Sequence, residues 1–326
     1  MTTFERNQSA LVISLDFELH WGIYEHTPSL EACRERLLQT RRLIPQLLDL
    51  FEEFEIAATW ATVGFLFFES RDELLANMPE AQPNYKNPAL ATYQLLDTLG
   101  SDEEEDPFHF APSLIAEIHE RPHQEIGTHT HAHFYCLEDG QDVEAFDADL
   151  RAARTAAALR GIELKSLVFP RNQINESYLQ AIENNGIGVI RGNPLKWFDR
   201  PRAWKDQTLL HRSARLLDNY LPTNSAGHET IRRLGEVIDV PASRFLRPVS
   251  LNMKPLEEVR LRRILGEMTA AARNDGIYHL WWHPHNFGTN TAANLDFLRR
   301  ILKHHQMLKD EHGMASRAMG DFVIDS

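Results

Sequence analysis

The chain has 326 residues, 43% of them apolar, and a formal net charge of -13. This size allows a large buried core, and the excess of acidic groups argues against a nucleic-acid or anionic-membrane partner, because such surfaces are bound by excess lysine and arginine. Cys33 and Cys136 are too few for a disulfide framework, and the sequence shows neither a signal-peptide pattern nor an apolar run of about 18 residues. These features predict a cytoplasmic protein that is not embedded in a membrane.

Strand-like and helix-like segments alternate along the chain. Residues 11–15 are an apolar, β-branched run that predicts a buried strand, and residues 31–54 have the spacing of an amphipathic helix, with a kink expected at Pro45. Further strands are predicted at residues 56–68, 125–127, 167–169, 188–190, 235–240 and 277–282. Further helices are predicted at residues 143–160, 176–184 and 256–273. The alternation predicts an α/β fold with a parallel sheet, and its even spread favours one barrel over two domains.

Residues 79–112 interrupt this alternation. They hold five of the sixteen prolines and an acidic run at residues 102–106, which by itself is typical of a solvated surface. Because the segment follows a predicted strand, we expect a long insertion that acts as a lid. The whole chain, residues 1–326, is otherwise predicted to be a single catalytic barrel domain.

The densest chemical signal is the segment 129–133, which reads His-Thr-His-Ala-His directly after a predicted strand. Neutral imidazole is the commonest metal ligand in proteins, and catalytic zinc sites use three protein ligands and leave one position open. An exposed polar loop without a metal is the alternative. The pattern therefore indicates a metal site that draws on these histidines.

Two carboxylates, Asp16 and Glu18, stand at the end of the first predicted strand and are separated by one residue. Strand alternation places both on one face of the sheet. One carboxylate can complete a metal site with two histidines while the other takes a proton from a water molecule. The sequence alone leaves the two roles open, and capping of a turn is the structural alternative for one of them.

Three more polar residues follow predicted strands. Arg171 comes just past the strand at residues 167–169 and could orient a neighbouring carboxylate, although an ordinary surface arginine is the alternative. His283 and His285 follow the strand at residues 277–282, where a proline directs the chain into the loop region. Since the carboxyl ends of barrel strands converge on one face, all these groups are expected to meet there.

The order of these motifs resembles the polysaccharide deacetylase (NodB-homology, carbohydrate esterase family 4) family. The resemblance spans nearly the whole chain and is most specific at residues 125–133, Glu-Ile-Gly-Thr-His-Thr-His-Ala-His. Residues 14–18 and 58–64 match the family's first strand and the strand after it more loosely. The resemblance implies a distorted, parallel (β/α) barrel with seven strands.

The resemblance also implies roles for individual residues. It implies that His129 and His133 bind the metal and that His131 does not. It also implies that Asp16 is the general base and that Glu18 is the acidic metal ligand. The family's two acids are usually adjacent, whereas here Phe17 intervenes, so the exchanged assignment stays open.

The later motifs are matched in part. In the third motif Arg171 follows a proline without the usual aromatic residue, which leaves substrate contacts there undefined. The last motif makes His283 the acid that protonates the leaving group. Asp239 is the candidate acid that orients His283.

The activity implied is hydrolysis of an N-acetyl or related acyl amide on an amino sugar, with a divalent transition metal as cofactor. Zn²⁺ suits two histidines and a carboxylate, and Co²⁺, Ni²⁺, Fe²⁺ and Mn²⁺ are alternatives. A carbohydrate or sugar conjugate is therefore the expected partner. Without an export signal, a nucleotide-linked or lipid-linked sugar used in surface-polysaccharide or glycoconjugate biosynthesis fits better than an external polymer.

Substrate contacts are expected from aromatic and imidazole groups next to the motifs. These candidates are Trp21, Trp60, Trp282 and His285, with Trp281 beside them, although a tryptophan near a strand is more often part of the core. Two alternatives to the deacetylase remain: an amidohydrolase-type C–N hydrolase acting on a small molecule, and a non-catalytic carbohydrate-binding barrel.

Overall fold

Ten strands form one curled sheet in the computed structural model of the chain, which describes residues 9–27, 29–194 and 229–323. Residues 1–8, which contributed to the cytoplasmic prediction, lie outside the described residues. The strands are β1 Ala10–Phe17, β2 Ala58–Thr62, β3 Gln124–Thr128, β4 Ser166–Leu167, β5 Val189–Ile190, β6 Arg232–Leu234, β7 Val237–Asp239, β8 Arg244–Phe245, β9 Ile277–Trp282 and β10 Ala315–Arg317.

Eight α-helices occur in the described part of the chain. They are α1 Leu30–Glu53, α2 Arg71–Ala76, α3 Pro112–Glu120, α4 Val143–Ala158, α5 Leu179–Asn184, α6 Lys254–Arg273, α7 Pro284–Phe287 and α8 Thr291–His312. The helix α1 continues through Pro45, where a kink was expected. The segment 176–184, predicted as one helix, begins with the 3-10 turn Glu176–Tyr178 before α5. None of the described helices has the length and apolar character needed to cross a bilayer.

The sheet confirms the predicted parallel barrel class. Its strand order is β6-β7-β5-β4-β3-β2-β1-β9-β8, with β10 also paired to β1, and β6–β7 is the antiparallel pair among otherwise parallel ones. The neighbouring residues Ala242 and Ser243 link the part of the sheet near β5 to β9. Ala242 N donates to Gly192 O at 2.8 Å, and Ser243 N donates to His279 O at 2.9 Å. The short β6, β8 and β10 were not predicted, so the sheet has more than the seven strands expected.

The two faces of β1 explain how the barrel is filled. The odd-numbered side chains from Leu11 to Phe17 pack in the large apolar cluster that includes α1, and burying each one stabilises the fold by about 1.5–3 kcal/mol. The even-numbered Ala10 and Val12 belong to a separate apolar cluster that also holds Met319 and Phe322. Further along the same face, Ser14 and Asp16 are buried as well. One alternating strand thus supplies both the apolar core and the polar groups of the barrel interior.

Near the start of the strands, the 3-10 turn Met319–Phe322 packs against the barrel. Met319 N donates to Thr59 Oγ1 at 2.7 Å, and Gly320 N donates to Glu125 Oε2 at 2.8 Å. Glu125, which belongs to the best-matched motif, therefore fastens the C-terminal segment to the barrel.

The insertion at residues 79–112 is tied to the loops beside it. Thr92 Oγ1 donates to Ala132 O at 2.8 Å, and Asn84 N donates to Gly140 O at 2.7 Å, so the segment contacts the loop after β3. On the other side, Nε2 of His109 lies 2.8 Å from Nδ1 of His20 in the loop after β1. These contacts place the insertion next to the candidate site, and its role as a lid stays a prediction.

Candidate metal and catalytic site

Five polar side chains from three parallel strands meet at one end of the barrel. Asp16 lies in β1 and Glu18 directly after it, His129 and His133 follow β3, and His283 follows β9. Because the carboxyl ends of parallel strands share one edge, residues far apart in sequence are brought within a few ångströms of each other. The structure thus brings together the five groups that the sequence singled out for metal binding and proton transfer.

Glu18, His129 and His133 direct candidate ligand atoms at one another. Oε2 of Glu18 lies 3.3 Å from Nε2 of His129 and 3.2 Å from Nε2 of His133, and the three candidate ligand atoms lie within 4.8 Å of one another. All three residues are buried. This is the geometry of a compact site with two nitrogens and one oxygen.

The outer nitrogen of His129 shows why this group fits a cation. Nδ1 lies 2.8 Å from the carbonyl oxygen of Val168, which can only accept, so Nδ1 carries a proton and Nε2 of the neutral ring has a free lone pair. That lone pair faces the Glu18 carboxylate oxygen, and the two repel each other unless a proton or a cation lies between them. Two imidazole nitrogens and one carboxylate suit a divalent transition metal.

The charge state of Glu18 agrees with this interpretation. Burial alone would raise the pKa of Glu18, but the charge of His283, together with protons on the facing nitrogens of His129 and His133 whenever no cation lies between them, outweighs burial and lowers it well below its usual value. Glu18 is therefore ionised, as a carboxylate metal ligand must be.

The loop that holds His129 and His133 has an unusual backbone. Thr130 and His133 adopt left-handed conformations, with φ of 63° and 56°. The carboxylate of Asp149 in α4 accepts hydrogen bonds from the backbone N of His131 at 2.6 Å and of Ala132 at 3.0 Å. Asp149 therefore stabilises the turn that directs both histidines to the same point.

Asp16 is held by Arg191, which was not among the residues predicted to form the site. Nη1 of Arg191 donates to Oδ1 of Asp16 at 2.6 Å and Nη2 donates to Oδ2 at 2.8 Å, with both side chains buried. Arg191 also donates to Ser14 Oγ at 3.0 Å, and its guanidinium lies 4.2 Å from the ring centroid of Trp281. Burial alone would raise the pKa of Asp16, but the charge of Arg191 and of nearby histidines gives a net lowering. The bidentate pair fixes both carboxylate oxygens in an ionised, acceptor-only state.

Arg171, which was expected beside a catalytic carboxylate, lies elsewhere. Its guanidinium pairs with Glu25 and lies 4.7 Å from the ring centroid of Tyr135. The cation beside Asp16 comes from the end of β5 instead. The signal that could have found Arg191 is its position directly after the apolar run at residues 188–190, the same signal that Arg171 shows one strand earlier.

His283 lies between the two carboxylates. Its Nε2 is 3.7 Å from Oδ2 of Asp16 and 3.6 Å from Oε1 of Glu18, and 24% of its side chain is exposed, which makes it the most accessible of the five groups. Asp239, predicted to orient His283, pairs instead with Arg232 at 2.8 Å. The reason is topological, since β7 pairs with β5 and β6 whereas His283 follows β9. Burial raises the pKa of Asp239 to about 6 although Arg232 opposes the rise.

Three predicted sugar contacts are part of the core. Trp21, Trp60 and Trp282 have no exposed surface, and their rings pack against phenylalanines. Strand alternation explains Trp282, because its neighbour Trp281 points to Arg191 in the barrel while Trp282 points to the helices. The prediction of a tryptophan floor formed by these three rings is wrong.

His285 lies close to the candidate metal-binding group. Its Nδ1 is 3.8 Å from Oε1 of Glu18, and its ring centroid is 5.0 Å from that of His283. Burial, assisted by the charge of His283, lowers the pKa of His285 to about 3, so this imidazole is neutral. Its contact with a substrate stays a prediction.

His131 lies apart from the other two histidines of the loop. Its ring is buried between Phe65 and Phe68, with centroids 4.8 and 5.8 Å away, and neither ring nitrogen has a hydrogen-bond partner. Burial lowers its pKa to about 3. A Cβ on Gly64 would lie 2.4 Å from its Nδ1, so this close packing requires glycine there.

We therefore expect His131→Leu to raise the free energy of unfolding by about 1–3 kcal/mol, because it replaces a buried polar ring that lacks hydrogen bonds with an apolar side chain. Chemical denaturation measures this change. Metal content should equal that of the parent, and a loss of metal in this variant would instead make His131 a ligand.

Comparisons with solved structures agree with the barrel. A protein assigned as a polysaccharide deacetylase from Mycobacterium smegmatis superposes with a TM-score of 0.60 at 14% identity, over 99% of this chain and 91% of that one. A protein assigned as a polysaccharide deacetylase from Pseudomonas aeruginosa PAO1 gives 0.53 at 10% identity, and the PuuE allantoinase gives 0.53 at 12% identity, each over 96% of this chain and 88% of the other.

Sequence comparison adds nothing to these matches, since no protein-family profile matches the chain and no curated protein matches it significantly. The structural neighbours confirm the resemblance to polysaccharide deacetylases at the level of the fold.

Proposed function

We propose that this chain, which has the fold of polysaccharide deacetylases, is a metal-dependent hydrolase that removes an N-acetyl or related acyl group from an amino sugar. The observation that supports this most is the convergence of Glu18, His129 and His133, with Asp16 and His283 beside them. Metal ligands, a carboxylate base and an imidazole acid are the parts that amide hydrolysis needs. The setting we propose is surface-polysaccharide or glycoconjugate biosynthesis.

We assign Glu18, rather than Asp16, as the acidic ligand. Both oxygens of Asp16 accept hydrogen bonds from Arg191, whereas Oε2 of Glu18 faces the two histidine nitrogens. Zn²⁺ suits this donor set best, with Co²⁺, Ni²⁺, Fe²⁺ and Mn²⁺ as alternatives. When bound, such an ion polarises the amide carbonyl and lowers the pKa of a water molecule.

Asp16 and His283 handle the protons. Asp16 takes a proton from the attacking water as the new C–O bond forms, and Arg191 keeps its oxygens oriented throughout. His283, the most exposed group of the site, gives a proton to the amine nitrogen as the C–N bond breaks. The products are the free amine of the sugar and the carboxylate of the acyl group.

The test compares the parent with a His129→Ala/His133→Ala double variant, and uses His131→Leu as the matched control from the same loop. We expect about one equivalent of a transition metal in the parent and in the control, measured by plasma mass spectrometry, and none in the double variant. Acetate release from N-acetylated sugars should occur in the parent and in the control, which hold the metal, and should be lost in the double variant. A parent that holds no metal even after reconstitution would contradict the proposal and favour the sugar-binding barrel without catalysis.

A second candidate is hydrolysis of a C–N bond in a small molecule. The burial of Trp21, Trp60 and Trp282 favours it, because these rings cannot stack on a sugar, and the ring of Trp281 is already contacted by Arg191. One structural neighbour is an allantoinase. Assays with allantoin beside N-acetylated sugars separate the two candidates, since only one class of substrate should be turned over.

A further inference from the structure

A chain of hydrogen bonds leads from His133 away from the candidate metal site. Nδ1 of His133 lies 2.9 Å from the hydroxyl oxygen of Tyr135, and that hydroxyl lies 2.6 Å from Oε2 of Glu25. Arg171 pairs with the same carboxylate. His133 and Tyr135 are buried, and 4% of the Glu25 side chain is exposed, so water competes little for these bonds.

The carboxylate of Glu25, at the end of this series of hydrogen bonds, fixes the direction of each bond. An ionised carboxylate only accepts, so the one hydroxyl proton of Tyr135 points to Glu25. The hydroxyl oxygen then accepts from Nδ1–H of His133, which leaves a lone pair on Nε2. That Nε2 lies 3.2 Å from Oε2 of Glu18, on the side of the metal-binding group.

Ring packing restrains the same histidine. The rings of His133 and Tyr135 meet edge to face, with centroids 5.0 Å apart, although the backbone of His133 is left-handed. The guanidinium of Arg171 lies over the ring of Tyr135, 4.7 Å from its centroid. The tyrosine is therefore held by its ring and by its hydroxyl at once.

We propose that Glu25 and Tyr135 form a relay that fixes the orientation and the protonated nitrogen of His133, and so sets the affinity of the site for its metal. This inference rests on the metal-binding function proposed above. Tyr135 acts through His133 and is a positioning residue. The pairing of Arg171 with Glu25 gives this arginine a place in the relay.

The test removes one oxygen atom. Tyr135→Phe keeps the ring and should lower the affinity for Zn²⁺ by about 10- to 100-fold, measured by competition with a chromophoric chelator. The absorption bands of the Co²⁺-loaded protein should shift as well. Glu25→Gln retains an oxygen acceptor for the Tyr135 hydroxyl and should lose less affinity.

Tyr85→Phe is the matched control. The Tyr85 hydroxyl accepts from Tyr135 N at 2.8 Å in the same aromatic cluster, and its ring contacts Tyr135 rather than His133. Its Zn²⁺ affinity should stay near that of the parent. Equal affinity in the parent and Tyr135→Phe, or an equal loss in both tyrosine variants, overturns the relay alone. A parent that binds no Zn²⁺ overturns the proposed function and the relay with it.

Discussion

Replacing Arg191 with methionine should lower the free energy of unfolding by about 3–5 kcal/mol, because the buried carboxylate of Asp16 is left without its charged partner. Activity per folded molecule should fall about 100-fold as well, since Asp16 loses the two hydrogen bonds that orient it toward the attacking water. Denaturation followed by circular dichroism measures the first effect, and acetate release measures the second.

Arg244→Met separates these two effects. Arg244 is also buried and forms a bidentate pair, with Glu267 at 2.8 and 2.6 Å, but this pair joins β8 to α6 away from the site. We expect a comparable loss of stability with unchanged activity per folded molecule. Full activity in Arg191→Met would show that Arg191 stabilises the barrel without positioning the base.

Asp16→Asn should lower kcat by about 10²- to 10⁴-fold, because the amide retains the shape of the side chain but cannot take a proton. Metal content should not change, since Arg191 occupies both oxygens of Asp16 and keeps them from the metal-binding group. Steady-state kinetics and plasma mass spectrometry on the same preparation measure both quantities.

Asp239→Asn is the comparison for this variant. Asp239 is a second buried carboxylate paired with an arginine, Arg232, and the structure shows no bond between it and His283 in the described part of the chain. Its activity should stay within a few-fold of the parent. If Asp16→Asn instead lost the metal, the roles of Asp16 and Glu18 would have to be exchanged.

The sequence predicted those parts of the site that depend on the order of strands. The apolar run at residues 11–15 and the motif at residues 125–133 each place polar groups just past a strand, and parallel pairing brings strand ends together without further information. The histidine cluster and the two carboxylates were therefore identifiable from spacing, and the family resemblance singled out Glu18, His129 and His133 as the candidate metal ligands.

The rest depends on which strands become neighbours and on which face each side chain takes. Arg191 reaches Asp16 across the barrel interior, and nothing in the local sequence distinguishes it from Arg171. Trp281 and Trp282 are adjacent in sequence yet lie on opposite faces, so composition alone could not say which one points to the site. The way the strands pair in the folded barrel decides both which arginine reaches Asp16 and which tryptophan faces the barrel interior.

The segment at residues 315–322, which closes the start of the barrel, affects how the protein folds during its synthesis. Ala10 pairs with Ala315, and Met319 and Phe322 complete the apolar cluster inside the barrel. Residues 315–322 must therefore leave the ribosome before β1 can form all its strand and side-chain contacts. Contacts between residues so distant in sequence form slowly. Until then the nascent sheet exposes apolar side chains and unpaired strand edges, so we expect chaperones to associate with this chain during its synthesis.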